Sequence, residues 1–265
     1  MIERILEFIK AFIISTAGRM TPQKLFGPFH LTYTLVGFAV CVVAALLLKN
    51  LGERGEKRMF LIIGLCLIVS EIYKQLFWYY AIGYDTYPWI RLPFHLCSIP
   101  MYLLPVMPFI KGGRVKNALY DFLGSYCFAG GLFSVVADGG LLREYWAMTF
   151  HCLTWHLLLV FIGLYIALRG KMSRKFGGFA GASAVFYAFA AAAFGLNCAL
   201  WRVSGGVCDM FFVGPAPMEV VVYRDIARFT GRPIVTLIYL LTLTLVSFAF
   251  WLVMSRLRKK ETAMR

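Results

Sequence analysis

Seven apolar runs, each long enough to cross a bilayer and set apart by polar stretches, constrain this chain more than any other feature. A hydrocarbon core about 30 Å thick is crossed by about 20 helical residues. The runs lie at 29–48, 59–80, 93–110, 117–137, 149–168, 176–200 and 233–254. They predict an all-α, polytopic membrane protein with seven transmembrane helices, forming one integral membrane domain over residues 1–265. Ahead of them, Ile2, Ile5, Leu6, Ile9, Phe12 and Ile13 fall on one helical face opposite Glu3, Arg4, Glu7 and Lys10. That pattern predicts a short amphipathic helix over 2–14 lying on the membrane surface. No small-residue cleavage site follows it, so a cleaved signal peptide is not expected.

The chain is 60% hydrophobic and only 15% charged, yet carries a formal net charge of +14. In a soluble protein that balance would raise the question of nucleic acid. Here the basic residues crowd into loops, which membrane topology explains, and no nucleic-acid partner is expected. Of the short loops, the first, third and fifth hold 4, 3 and 4 Lys and Arg, whereas the second and fourth hold 1 each. The positive-inside rule then puts a cell-membrane protein's C-terminus, with its basic Arg256–Lys260 stop, in the cytoplasm and its N-terminus outside.

The third run opens Arg91-Leu92-Pro93-Phe94-His95-Leu96-Cys97-Ser98-Ile99-Pro100, which takes a histidine and a cysteine into the membrane. Ionisable groups at that depth are costly and face a bundle interior or a wet cavity, so His95 and Cys97 are functional candidates. Pro93 suits a first helical turn, and Pro100, Pro105 and Pro108 are expected to kink the span. Phe150-His151-Cys152 and His156 open the fifth run. A seven-span topology brings His30, His95, His151 and His156 to one end of the bundle. Glu71, Lys74 and Asn197 approach the same level.

A thiol attacks as thiolate, the form that a nearby imidazole or a helix N-terminus favours. Cys97 is the candidate nucleophile, placed in the second turn of its span. His151 and His156, about 140° apart around a helix, are its candidate partners. Glu71 or Asn197 could orient the imidazole, and Asn197 could steady an oxyanion. Plainer roles stand beside these. Glu71 and Lys74 form an i, i+3 pair that can neutralise itself. Asn197 can be interhelical glue, and Cys41, Cys66, Cys127 and Cys152 can be small apolar fillers. Cys198 and Cys208 are near enough in sequence for an outer-face disulfide. Three histidines with Cys97 and Glu71 could also hold zinc, but no HExxH-type spacing supports it, and the leading interpretation has no metal and no cofactor. A transporter or ligand-binding protein would use a polar pocket and broken helices in a comparable way.

The segment Leu92-Pro93-Phe94-His95-Leu96-Cys97-Ser98-Ile99, with Phe150-His151 and His156 on a seven-span chain of this length, resembles the YwaF-like bacterial integral-membrane proteins. It is more remotely similar to transmembrane protein 164, regarded as a phospholipid acyltransferase with a catalytic cysteine. The resemblance implies Cys97 as that cysteine, His95 as the motif histidine and His151 or His156 as its partner. It also implies a membrane phospholipid as substrate, with acyl transfer or hydrolysis at the outer leaflet.

Overall fold

A computed structural model describes residues 1–83 and 85–257; Arg258, Lys259 and Lys260, most of the expected basic stop, lie outside the described residues. The helices are α1 (Ile2–Ser15), α2 (Pro28–Leu48), α3 (Glu53–Phe77), α4 (Ile99–Val106), α5 (Arg114–Phe122), α6 (Phe128–Ala137), α7 (Trp146–Leu168), α8 (Phe176–Leu200), α9 (Val221–Thr230) and α10 (Arg232–Met254). A wide π turn, Trp78–Ile82, extends α3, and another, Leu123–Cys127, joins α5 to α6. Six of the resulting helices among the described residues are long and apolar enough to cross a membrane. The architecture is all-α, polytopic and membrane-embedded.

The seventh crossing takes a different form from the one its apolar run predicts. Its regular part, α4, is only eight residues long. Pro105 removes an internal hydrogen bond, and the chain turns again at Met107–Ile110, around Pro108, so regular helix cannot persist to 110. The chain still passes from one end of the bundle to the other. Arg91 is level with Gln75, whose amide donates to its carbonyl at 2.7 Å. Pro105 packs on Gly64, halfway down α3. Tyr120 then meets Glu56 at the foot of α3, with 2.7 Å between hydroxyl and carboxylate.

Hydrogen bonds sort the remaining elements to two ends. At one, His30 donates to the Val135 carbonyl at 2.8 Å, Thr16 meets Tyr73, and Asn197 holds Met210. At the other, Arg169 donates to the Lys49 carbonyl, Asp121 receives the Ser173 amide, and Arg174 donates to the Ser255 carbonyl. The stretch between α8 and α10, expected to be polar loop, contains α9, an amphipathic helix that the Gly and Pro content masked. Tyr126, Phe179 and Phe186 stack at the centre, where small residues of α8 admit large rings.

Candidate functional site

The segment leading to Cys97 is tied to α3 by one amide. Gln75 Nε2 donates to Glu71 Oε1 at 2.6 Å and to the Arg91 carbonyl at 2.7 Å, while Lys74 Nζ pairs with Glu71 Oε1 at 2.7 Å. Glu71 and Lys74 thus form the i, i+3 pair that their spacing allows, and Gln75 extends it to the next element. Past Pro93 the backbone stays extended at His95 (φ −95°, ψ 166°) and makes one tight turn, Leu96–Ser98, before α4 starts at Ile99. Cys97 therefore stands just ahead of a helix rather than in its second turn. The extended approach moves the thiol closer to the positive end of the helix dipole than a helix beginning at Pro93 would.

Helix α7 supplies the other wall. Trp155 Nε1 donates to the Cys97 carbonyl at 2.9 Å, and the His151 ring packs on Trp155 with centroids 5.4 Å apart. His151 Nδ1 meets the Ser70 hydroxyl at 2.8 Å. His156 Nδ1 lies 2.7 Å from the Cys152 carbonyl. A carbonyl only accepts, so Nδ1 carries the proton and Nε2 of the neutral ring keeps its lone pair. Cys152 and His156, at i and i+4, share a face of α7. The Cys152 thiol and the Lys74 ammonium are both within electrostatic reach of Cys97, and Lys74 also acts on His95, His151 and His156. Cys97, Cys152, His156, His151 and Lys74 are thus assembled from three separate elements.

The other candidates are placed as follows. The His95 ring lies 5.1 Å from that of Phe212. His30 uses both nitrogens, accepting from the Phe26 amide and donating to Val135, so it closes the loop before α2. Asn197 is fully buried; its Nδ2 donates to the Met210 carbonyl at 2.9 Å and its Oδ1 accepts from the Met210 amide at 2.8 Å. It anchors the 208–214 loop. Cys198 is exposed, Cys208 is buried, and both are free thiols, because the loop turns Cys208 inward toward Asn197. Among the described residues no three His, Cys, Asp or Glu side chains converge as a metal-ligand set.

That loop stores strain beside the site. Phe211 and Phe212 have φ of 57° and 54°, left-handed values that cost a residue with a Cβ about 1–3 kcal/mol each. Asn197 offsets this, as does a fork in which Arg232 Nη2 reaches Asp209 Oδ1 and Oδ2 at 2.9 and 2.8 Å. Burial still pushes the Asp209 carboxyl above the usual carboxylate range, with Arg232 opposing.

Several polar groups here were not singled out by the sequence. Trp155 stands at i+4 from His151, a helical spacing that could have revealed it. Arg91 and Arg143 are the lone basic residues of their two loops, and both guanidiniums lie over the Trp78 ring, at 4.4 and 5.9 Å. Burial, with Arg143 adding to it, holds the Arg91 guanidinium below its ordinary value. Side-chain atoms buried without a hydrogen-bond partner include Arg91 Nε, Gln75 Oε1 and His95 Nδ1, all at this end. A buried polar atom ordinarily finds a protein, water or ligand partner. An apolar groove of about 830 Å³ between α2 and α7 runs along Gly37, Thr154, Leu157 and Phe161, a different face of α7 from Cys152 and His156.

The model for the TMEM164 family matches residues 25–255, which span every crossing and every residue of the site. No curated protein and no solved structure matches the chain.

Proposed function

The chain belongs to the TMEM164 family, and from that premise we propose that it is a cofactor-independent lipid acyltransferase or lipid hydrolase in which Cys97 is the nucleophile and His156 the base. The reading is supported chiefly by His156: the Cys152 carbonyl fixes the proton on Nδ1, which leaves Nε2 as a proton acceptor on the face that carries Cys152, and the Cys152 side chain in turn acts on Cys97. A third group that fixes the tautomer of the base is the logic of the familiar catalytic triads, here supplied by backbone.

In the first step His156 Nε2 takes the thiol proton while Cys97 Sγ bonds to the carbonyl carbon of a phospholipid ester. The ester C–O bond breaks, and the departing alkoxide receives the proton from His156. The acyl group then passes from sulfur to the hydroxyl of a second lipid, or to water, regenerating the thiol. The start of α4 and Lys74, the latter offset by its partner Glu71, act on the sulfur. The basic loops face the cytoplasm in this reading, so the site opens toward the extracytoplasmic leaflet and the N-terminus lies outside.

The test is acyl movement from labelled phospholipid in proteoliposomes. Cys97→Ala should abolish it, and His156→Ala should lower it by about 10²-fold or more, as loss of a general base does. Equal activity in wild type and Cys97→Ala removes the nucleophile assignment. A transporter reading would instead need lipid or solute flux that survives Cys97→Ser.

A further inference from the structure

The two arginines over Trp78 are a pair of positive charges that, among the described residues, form no ion pair with a carboxylate. From the ring distances of 4.4 and 5.9 Å, the two guanidinium carbons are no more than about 10 Å apart, and their charges act on each other. Glu71 is held by Lys74 and Gln75. Glu219 acts on Arg91 only from longer range, and among the described residues no carboxylate oxygen comes within 4.0 Å of either guanidinium. Arg91 Nε is buried and unpaired.

The backbones are fixed. The Arg91 carbonyl is held by Gln75 at 2.7 Å, and Arg143 exchanges two hydrogen bonds with the fully buried Thr149, its amide donating at 2.8 Å and its carbonyl accepting at 2.9 Å. Trp78 is presented by the π turn that ends α3, a distortion common at functional positions. Two like charges gathered on one ring repel each other, so this arrangement is favourable when an anion sits between them. Paired guanidiniums favour the bidentate geometry of a phosphate. Both arginines also act on Cys152, the thiol next to Cys97.

We propose that Arg91 and Arg143, seated on Trp78, form a phosphate-binding subsite at the membrane surface that receives the headgroup phosphodiester of a phospholipid and so sets its ester carbonyls over Cys97. The assignment of the ester rests on the acyl-transfer reading above; the anion site itself does not. Its role is recognition, and it discriminates a phospholipid from a neutral diacylglycerol with the same esters.

The experiment uses the full chain carrying Cys97→Ala, so that no turnover confuses binding. Native mass spectrometry from detergent, with equal amounts of phosphatidylcholine and diacylglycerol of identical acyl chains, reads which lipid is retained. Preference for the phospholipid should be about tenfold or more, the worth of one or two charge-assisted hydrogen bonds. It should fall to about one in R91Q/R143Q and survive in part in R91K/R143K. The thermal midpoint of each variant confirms that it is folded. Equal retention of both lipids, or a preference unchanged in the folded R91Q/R143Q variant, overturns the proposal. Millimolar inorganic phosphate is the second arm. If it raises the midpoint in an arginine-dependent way while no lipid preference exists, the ligand is free phosphate, and the headgroup assignment falls. Loss of the acyl-transfer reading in the proteoliposome assay would leave this binding result standing, which separates the two failures.

Discussion

The two ends of the bundle handle buried polarity in opposite ways. At the end of α3 away from Cys97, Glu56 receives Tyr120 at 2.7 Å, Tyr165 at 3.2 Å and Arg169 at 3.2 Å, with Lys171 at 3.9 Å. One carboxylate thereby joins α3, α5, α7 and the loop after α7. The Glu56 end still leaves Asp121 Oδ2 and Ser255 Oγ without a partner, but at the Cys97 end Arg91, Gln75 and His95 each keep such a buried atom, two phenylalanines hold left-handed backbone, and two arginines share a ring instead of a carboxylate. The first arrangement spends its polar groups on holding helices together. The second holds polar groups in reserve for a ligand, a pattern expected where a protein acts rather than merely folds.

If that contrast is sound, removing Glu56 should do the greatest harm to folding. Glu56→Ala strands Arg169 and two tyrosine hydroxyls inside the bundle, and taking one partner from a buried ion pair costs about 3–5 kcal/mol. Glu56→Gln, which keeps oxygen in place but loses the charge, should cost about 1–2 kcal/mol. Thermal unfolding in detergent followed by near-UV circular dichroism measures both. A midpoint unchanged in Glu56→Ala would erase the distinction between the ends.

The Asp209–Arg232 fork sharpens it, because this pair belongs to the Cys97 end yet serves as structure. Burial keeps the Asp209 carboxyl above its usual range even with Arg232 opposing, so ionised Asp209 is not fully compensated. The effects of its two partners should therefore differ. Arg232→Gln leaves a buried carboxylate alone and should cost about 3 kcal/mol, whereas Asp209→Asn should cost about 1 kcal/mol. Both would free the strained Phe211–Phe212 turn, and protease access to the 208–214 loop reads that directly. Equal costs would mean that the fork stabilises through its hydrogen bonds alone.

Gly64 offers a smaller, purely steric test of the irregular crossing. A Cβ built there would lie 2.5 Å from Pro105 Cδ, and a proline ring cannot swing aside. Gly64→Ala should cost about 1–3 kcal/mol through overpacking, and should shift α4 and with it the turn that carries Cys97. Gly52→Ala, where a Cβ meets nothing, is the control.

Much of this was written in the sequence, and the exceptions have causes. Six of the seven runs became helices of membrane-crossing length because apolar length is a nearly sufficient signal once water is absent. The seventh became a short α4 because three prolines outweigh hydrophobicity when regular backbone is at issue. Helix α9 is hidden because the Gly and Pro of 205–217 give the whole segment a loop-like composition, although Ile226, Arg228 and Thr230 fall beyond them. In the site, His95, Cys97, His151 and His156 stood out because ionisable groups are conspicuous in an apolar run. The partners did not. The Cys152 carbonyl is backbone, and a composition does not show it; Arg91 and Arg143 are 52 positions apart and meet over Trp78, a contact that no local spacing encodes. Asn197 lies at the end of α8 nearest the 208–214 loop, and its two polar atoms are both occupied by the backbone of Met210, a pairing that depends on how that loop folds.

The smallest expected effect on stability is the one that decides most. Cys97 is half-buried, its thiol holds no element in place, and its structural link to α7 runs through the backbone carbonyl that Trp155 reaches, which any side chain at 97 would keep. Cys97→Ala should therefore move the unfolding free energy by less than about 1 kcal/mol. The comparison with Trp155→Phe is informative, because that variant keeps the thiol and removes the 2.9 Å hydrogen bond, at a cost of about 1 kcal/mol. If position 97 serves packing, the thiol variant should be the more damaging of the two. If the Cys97 end is kept for chemistry, the order reverses, and the least costly substitution for the fold is the one that most completely stops acyl movement.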